Sequence, residues 1–151
     1  MPELHFSPLA EPLRPLLNKF YRQHNSPMRA ASKGELWVAK RLEIIAGLCL
    51  TPVAEGQWLT GLFVDPACRG QRIATQLVEH ALATVDGPVW LFCHPDLQAF
   101  YEGLGFASDP RLPQSLTERL ARYARSKPMI ALGIEPAVRS TSGTVGLSGE
   151  C

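Results

Sequence analysis

The chain has 151 residues, 46% of them hydrophobic and 19% charged, with a formal net charge of +1 at pH 7. That size suits one domain around one core, and the composition excludes an intrinsically disordered chain. So small a net charge excludes a global field for nucleic acid or membrane, although local basic patches stay open.

Leu13, Leu16, Leu17, Phe20 and Tyr21 recur at three- and four-residue spacing behind Pro12, which predicts an amphipathic helix ending near His24. Residues 25–34 mix breakers with small side chains and read as a loop. Three β-prone runs follow at 35–42, 43–50 and 58–64. Short links at 41–43 and 51–57 predict an antiparallel meander. After Asp65-Pro66 the period changes: Ile73, Leu77, Val78, Ala81, Leu82 and Val85 mark one helical face, stopped by Asp86-Gly87-Pro88. Val89–Cys93 is apolar on both faces, as in a buried strand parallel to a neighbour.

A further helix starts near Pro95-Asp96 and closes at Gly105 in a left-handed conformation, with Phe106 folding back on it. Ser115-Leu116-Thr117-Glu118 has the form of a capping box before Leu120 and Tyr123. Residues 128–132 form a last strand. Residues 136–151, rich in small residues and without period, read as a disordered tail behind a single domain over 1–135.

The cysteines Cys49, Cys68, Cys93 and Cys151 lack the close paired spacing of a zinc site or a redox pair, which points to reduced thiols in the cytoplasm and to no bound metal. The N-terminal residues show no secretion signal, and no apolar run reaches the ~18 residues of a membrane span.

Chemistry concentrates in Leu62-Phe63-Val64-Asp65-Pro66-Ala67-Cys68-Arg69-Gly70-Gln71-Arg72-Ile73-Ala74-Thr75, a turn set between a strand and an amphipathic helix. The amides of a first helical turn and the positive end of the helix dipole converge there, which suits phosphate oxygens. Arg69 and Arg72 can add charge. Residues 62–82 resemble the central motif of the GNAT superfamily of N-acetyltransferases, R/Q-x-x-G-x-G/A, with Arg69 first and Ala74 last. The chain departs from it at Arg72, where the family usually has glycine. His94-Pro95-Asp96-Leu97-Gln98-Ala99-Phe100-Tyr101-Glu102-Gly103-Leu104-Gly105-Phe106 resembles a second family stretch, with His94 in place of a frequent asparagine. With their flanking elements the two motifs cover about residues 4–132.

The resemblance implies a mixed α/β fold: a central, mostly antiparallel sheet with one splayed parallel strand pair, and helices on both faces. It implies an acyltransferase that moves the acetyl group of acetyl-coenzyme A to a primary amine of a small molecule or peptide. It puts the cofactor diphosphate on Arg69, Gly70, Gln71, Arg72, Ile73, Ala74 and Thr75. Backbone groups of Leu62, Phe63 and Val64 then orient the pantetheine arm, His94 caps the following helix or touches that arm, and Tyr101 is the general acid that protonates the leaving thiolate. Packing alone is the competing reading of Tyr101. Cys93 reads as core.

For the base that deprotonates the amine, Glu55, His24, His80 and His94 stay open. Between residues 14 and 41 stand Arg14, Lys19, Arg22, Arg29, Lys33, Lys40 and Arg41 against Glu35 alone, which suits a carboxylate-bearing acceptor over a polyamine unless those cations simply solvate a helix face. A non-catalytic acetyl-coenzyme A sensor of the same fold is the alternative from another class. A nucleotide-phosphate enzyme is disfavoured by the missing Gly-Lys-Ser/Thr loop. The cluster Arg111, Arg119, Arg122, Arg125, Lys127 lacks the aromatic platform of a nucleic-acid module and suits an exposed helix or an oligomer contact, in a monomer or homodimer.

Overall fold

Apolar runs between residues 35 and 64 pair into strands, and the longer-period stripes on either side fold into helices that pack on them. The computed structural model describes residues 3–135, so the predicted tail lies outside the described residues. They divide into two units: one reaches to Pro52 and resumes over Trp58–Val85, and the other joins Val53–Gln57 to the chain from Asp86 on.

The first unit holds β1 (His5–Leu9), α1 (Arg14–Gln23), β2 (Glu35–Lys40), most of β3 (Ile44–Val53) and of β4 (Gly56–Val64), and α2 (Ile73–Leu82). Strands β1 and β2 pair antiparallel, Leu9 opposite Leu36, and β2 pairs antiparallel with β3, Leu36 opposite Cys49. On one face Leu9, Leu36, Val38 and Cys49 bury against Leu17, Phe20 and Tyr21 of α1. The other face receives α2: His80 stacks on Phe6 of β1 with ring centroids 4.7 Å apart. The predicted stripe Ile73, Leu77, Val78, Ala81, Leu82 is buried. Val85 falls beyond the helix, because the Thr84 amide and hydroxyl both take the Ala81 carbonyl and close the last turn.

Strand β1 was not predicted. Pro8 breaks its alternation and only Leu9 is buried; proline is tolerated there because β1 is an edge strand. The link read as a loop over 51–57 is corrected: β3 runs through Pro52 to Val53, β4 starts at Gly56, and Ala54-Glu55 makes a two-residue turn with Ala54 at φ 51.

The second unit pairs β5 (Val89–Cys93) antiparallel with β7 (Ile130–Ile134), and β7 with β6 (Ala107–Ser108). Strand β5 is almost wholly buried, as its two-faced apolar run predicts. The Gln57 amide donates to Pro88 O at 3.0 Å, so β4 and β5 start abreast, the parallel step that the sequence predicts. A 3-10 turn at Pro95–Leu97 leads into the short α3 (Gln98–Glu102). Gly105 has φ 104 and the Phe106 amide donates to Tyr101 O at 3.1 Å, the predicted closure.

The capping box is not formed. Helix α4 (Gln114–Ala124) starts ahead of it, capped by the extended Pro113, whose carbonyl accepts from the amides of Leu116 and Thr117. Ser115 thus lies inside the first turn, and Glu118 accepts instead from Gln114 Nε2 at 2.9 Å.

Candidate functional site

Strand β4 ends where Asp65 divides its carboxylate. Oδ1 accepts from the Ala67 amide at 2.9 Å and so caps the 3-10 turn Pro66–Cys68, while Oδ2 faces His24 Nε2 at 3.8 Å. Gly70 then turns at φ 85, and Arg72 adopts φ 61, ψ 23 as the residue that opens α2. No side chain caps this ten-residue helix. The amides of Ile73, Ala74 and Thr75 therefore have no acceptor inside the helix and stand at its positive end. A Cβ placed on Gly70 would meet nothing within 4 Å, so the space beside that turn is open. Uncapped amides, the dipole and that open space fit a diphosphate.

The loop's side chains do other work. Arg69 Nε donates to Val64 O at 3.1 Å and its guanidinium lies 5.1 Å from the Phe63 ring centre. Gln71 accepts from Arg41 at 3.2 Å. Ile73 is buried, so only its amide can face a ligand. Arg72 occupies the left-handed region that the family's glycine reaches without strain, which explains why the motif carries glycine there.

The segment Leu62–Val64 is held from α1. Gly61, at φ 71 in the middle of β4, kinks the strand, and the Tyr21 hydroxyl donates to the freed Gly61 carbonyl at 2.6 Å. Burial, and then the neighbouring Cys49, push the Tyr21 phenol far above its ordinary range, so it is a fixed donor. Phe63 packs edge-on to Phe20 at 5.8 Å and against His24 at 6.0 Å. Sequence reasoning missed this clamp because Tyr21 looked like one more apolar position; the legible signal was a glycine inside a strand run. On the same side a cleft of ≈ 370 Å³ opens between α1 and the β2–β3 turn, lined by Leu16, Lys19, Phe20, Lys40, Glu43 and Ile44. It gathers two cations of the basic stretch with one carboxylate.

In the second unit His94 Nδ1 accepts from the Asp96 amide at 3.0 Å, which makes it the cap that the sequence allowed. Tyr101 is 7% exposed, its ring held by edge contacts to Phe100 at 5.0 Å and Phe106 at 5.9 Å. Burial first, and Cys93 second, raise its phenol well above the usual range. Like any phenol it is protonated at neutral pH. Cys93 is buried, with its thiol pushed up by that burial, and is core. Glu55 sits in the two-residue turn and His80 against Phe6. Among the described residues no three His, Cys, Asp or Glu side chains gather to hold a metal, and no helix is long and apolar enough to cross a membrane.

A strand, a loop that no side chain caps and an amphipathic helix, followed by a buried strand and a tyrosine-bearing helix, are the elements that the sequence resemblance implies. Residues 32–108 match the family model of the acetyltransferase (GNAT) domain, about half of the chain. The chain belongs to the GNAT acetyltransferase family and is an acyltransferase. None of the curated proteins compared with it matches significantly.

Solved structures share its fold. A GNAT-family acetyltransferase from Staphylococcus aureus Mu50 superposes with TM-score 0.66 at 16% identity, over 89% of this chain and 99% of that one. The ribosomal-protein-S18-alanine N-acetyltransferase of Escherichia coli gives 0.67 at 16% identity, over 88% and 94%. The N-acetylglutamate synthase of Neisseria gonorrhoeae, solved with coenzyme A and L-arginine, gives 0.65 at 13% identity, over 89% of this chain and 34% of that one.

Proposed function

We propose that the protein transfers the acetyl group of acetyl-coenzyme A to a primary amine of a small molecule or peptide. The observation that carries this reading is the start of α2 behind Arg72, which no side chain caps, with open space beside Gly70 in the turn that leads to it. When bound, acetyl-coenzyme A supplies the acetyl group as an activated thioester. The amides of Ile73, Ala74 and Thr75 hold its diphosphate, with the backbone of Gly70, Gln71 and Arg72 completing the cradle. Backbone groups of Leu62, Phe63 and Val64 orient the arm, stiffened by the Tyr21 bond to Gly61. The Val64 carbonyl is engaged by Arg69. His94 acts through its cap on the following turn, and Tyr101 donates the proton that the departing thiolate needs.

Two relatives in fold carry names that bracket the acceptor, a ribosomal-protein alanine in one and glutamate in the other. Both acceptors are primary amines. The three described cysteines are free thiols, in keeping with a protein of the cytoplasm.

Calorimetric titration with acetyl-coenzyme A and coenzyme A, followed by thiol release over a panel of amino acids, peptides and polyamines, tests the proposal. Saturable binding and turnover with at least one amine are expected. Tyr101→Phe should keep binding and lose about 100-fold in kcat, within the range of a general acid. Binding without turnover on any amine would make the chain a sensor instead. No binding at millimolar ligand would refute the diphosphate site.

A further inference from the structure

Four groups were open as the amine's base, and the structure separates them. Glu55 lies in the turn that joins β3 to β4, His80 is stacked on Phe6 beside α2, and the Nδ1 of His94 is committed to its cap. His24, the residue that closes α1, is different. Its ring stands edge-on to Phe20 at 5.1 Å and 6.0 Å from Phe63, and its Nε2 faces Asp65 Oδ2 at 3.8 Å. Both side chains are three-quarters buried. Asp65 is itself anchored, because its other oxygen caps the turn at Ala67. An imidazole held between two aromatic rings, with a carboxylate 3.8 Å from one nitrogen, is a base whose other nitrogen is left to work on the amine. It packs against Phe63, one of the residues whose backbone is proposed to orient the pantetheine arm, and Phe20 is shared with the cleft carrying Lys19 and Lys40.

We infer that His24 is the general base for the acceptor amine and that Asp65 is its positioning residue, with the cleft beside Phe20 as the acceptor's way in. This rests on the acetyltransferase reading above. His24 Nδ1 takes one proton from the acceptor ammonium, and the freed nitrogen pair forms the C–N bond to the thioester carbonyl carbon. The C–S bond breaks with its electron pair going to sulfur. Tyr101 protonates that sulfur and recovers the proton which the nitrogen sheds as the amide forms. The proton on His24 passes to water. Asp65 is the charged group facing the imidazole from the end of β4, and Arg69 lies over the neighbouring Phe63 ring.

The test is the pH profile of kcat/KM for thiol release with an amine the enzyme accepts, in wild type, His24→Gln and Asp65→Asn, with acetyl-coenzyme A binding measured beside it. His24→Gln should lose about 100-fold at pH 7 with cofactor affinity unchanged. The deficit should shrink as pH rises towards the amine's own pKa, about 10.4 for a lysine-like acceptor, where water delivers the neutral amine. Asp65→Asn, which keeps the Ala67 cap, should lower kcat about tenfold while the KM for acetyl-coenzyme A stays put. A His24→Gln rate within threefold of wild type at pH 7, or a deficit equal at every pH, would overturn the inference. Failure of the wild type to bind acetyl-coenzyme A would instead overturn the reading beneath it, by a separate measurement.

Discussion

Arg72 stands where the family motif usually has glycine, and its backbone is left-handed, at φ 61 and ψ 23. A residue with a Cβ pays about 1–2 kcal/mol to sit there. Glycine escapes that strain but gives up about 0.4–1 kcal/mol of extra chain entropy in the unfolded state. Arg72→Gly and Arg72→Ala both delete the guanidinium, so whatever the charge does cancels between them. What remains is the backbone term, about 1 kcal/mol in favour of glycine, or about 2–4 °C in Tm for a chain of this size. Urea and thermal unfolding of the two variants read it directly. A left-handed backbone kept in the free and the bound protein alike costs both states the same, so acetyl-coenzyme A affinity by calorimetry should be equal in the two variants. If Arg72→Ala proves as stable as Arg72→Gly, the left-handed conformation is not what this position demands, and the account of the loop fails.

Gly61→Ala should cost about 2–3 kcal/mol in urea unfolding, since a Cβ would stand 2.7 Å from the Tyr21 hydroxyl at φ 71, combining left-handed strain with the loss of a buried hydrogen bond; an unchanged midpoint would refute the clamp. Alkylation at pH 8 with peptide mass mapping should modify Cys68 well before Cys49 and Cys93, whose thiols burial holds above the usual range and so keeps protonated. Urea should erase the difference, and equal rates in the native protein would contradict the burial assigned to Cys49.

The turn ahead of α2 was legible because its signal is local: a strand run, a break at Asp65-Pro66 and a helical stripe starting at Ile73 place one helix N-terminus whatever the rest of the chain does. The closure at Gly105 and Phe106 was readable for the same reason. Elements that depend on tertiary pairing were not. Strand β1, with Pro8 in its middle, has no alternation to read and exists because β2 offers it an edge. The failed capping box shows a local pattern losing to a competitor next to it, since the Pro113 carbonyl supplies the first acceptors before Ser115 can. The His24–Asp65 approach joins residues 41 positions apart in the sequence, and no spacing rule reports such a meeting.

The hydroxyl of Tyr21 fastens a helix to a kink in the strand it covers, and that has a practical meaning for anyone wishing to re-aim the enzyme. Libraries built to change acceptor preference should vary Leu16, Lys19 and Lys40 along the cleft and leave the phenol alone. Altering the former reshapes the proposed entrance, whereas removing the latter unties the end of β4 from its helix.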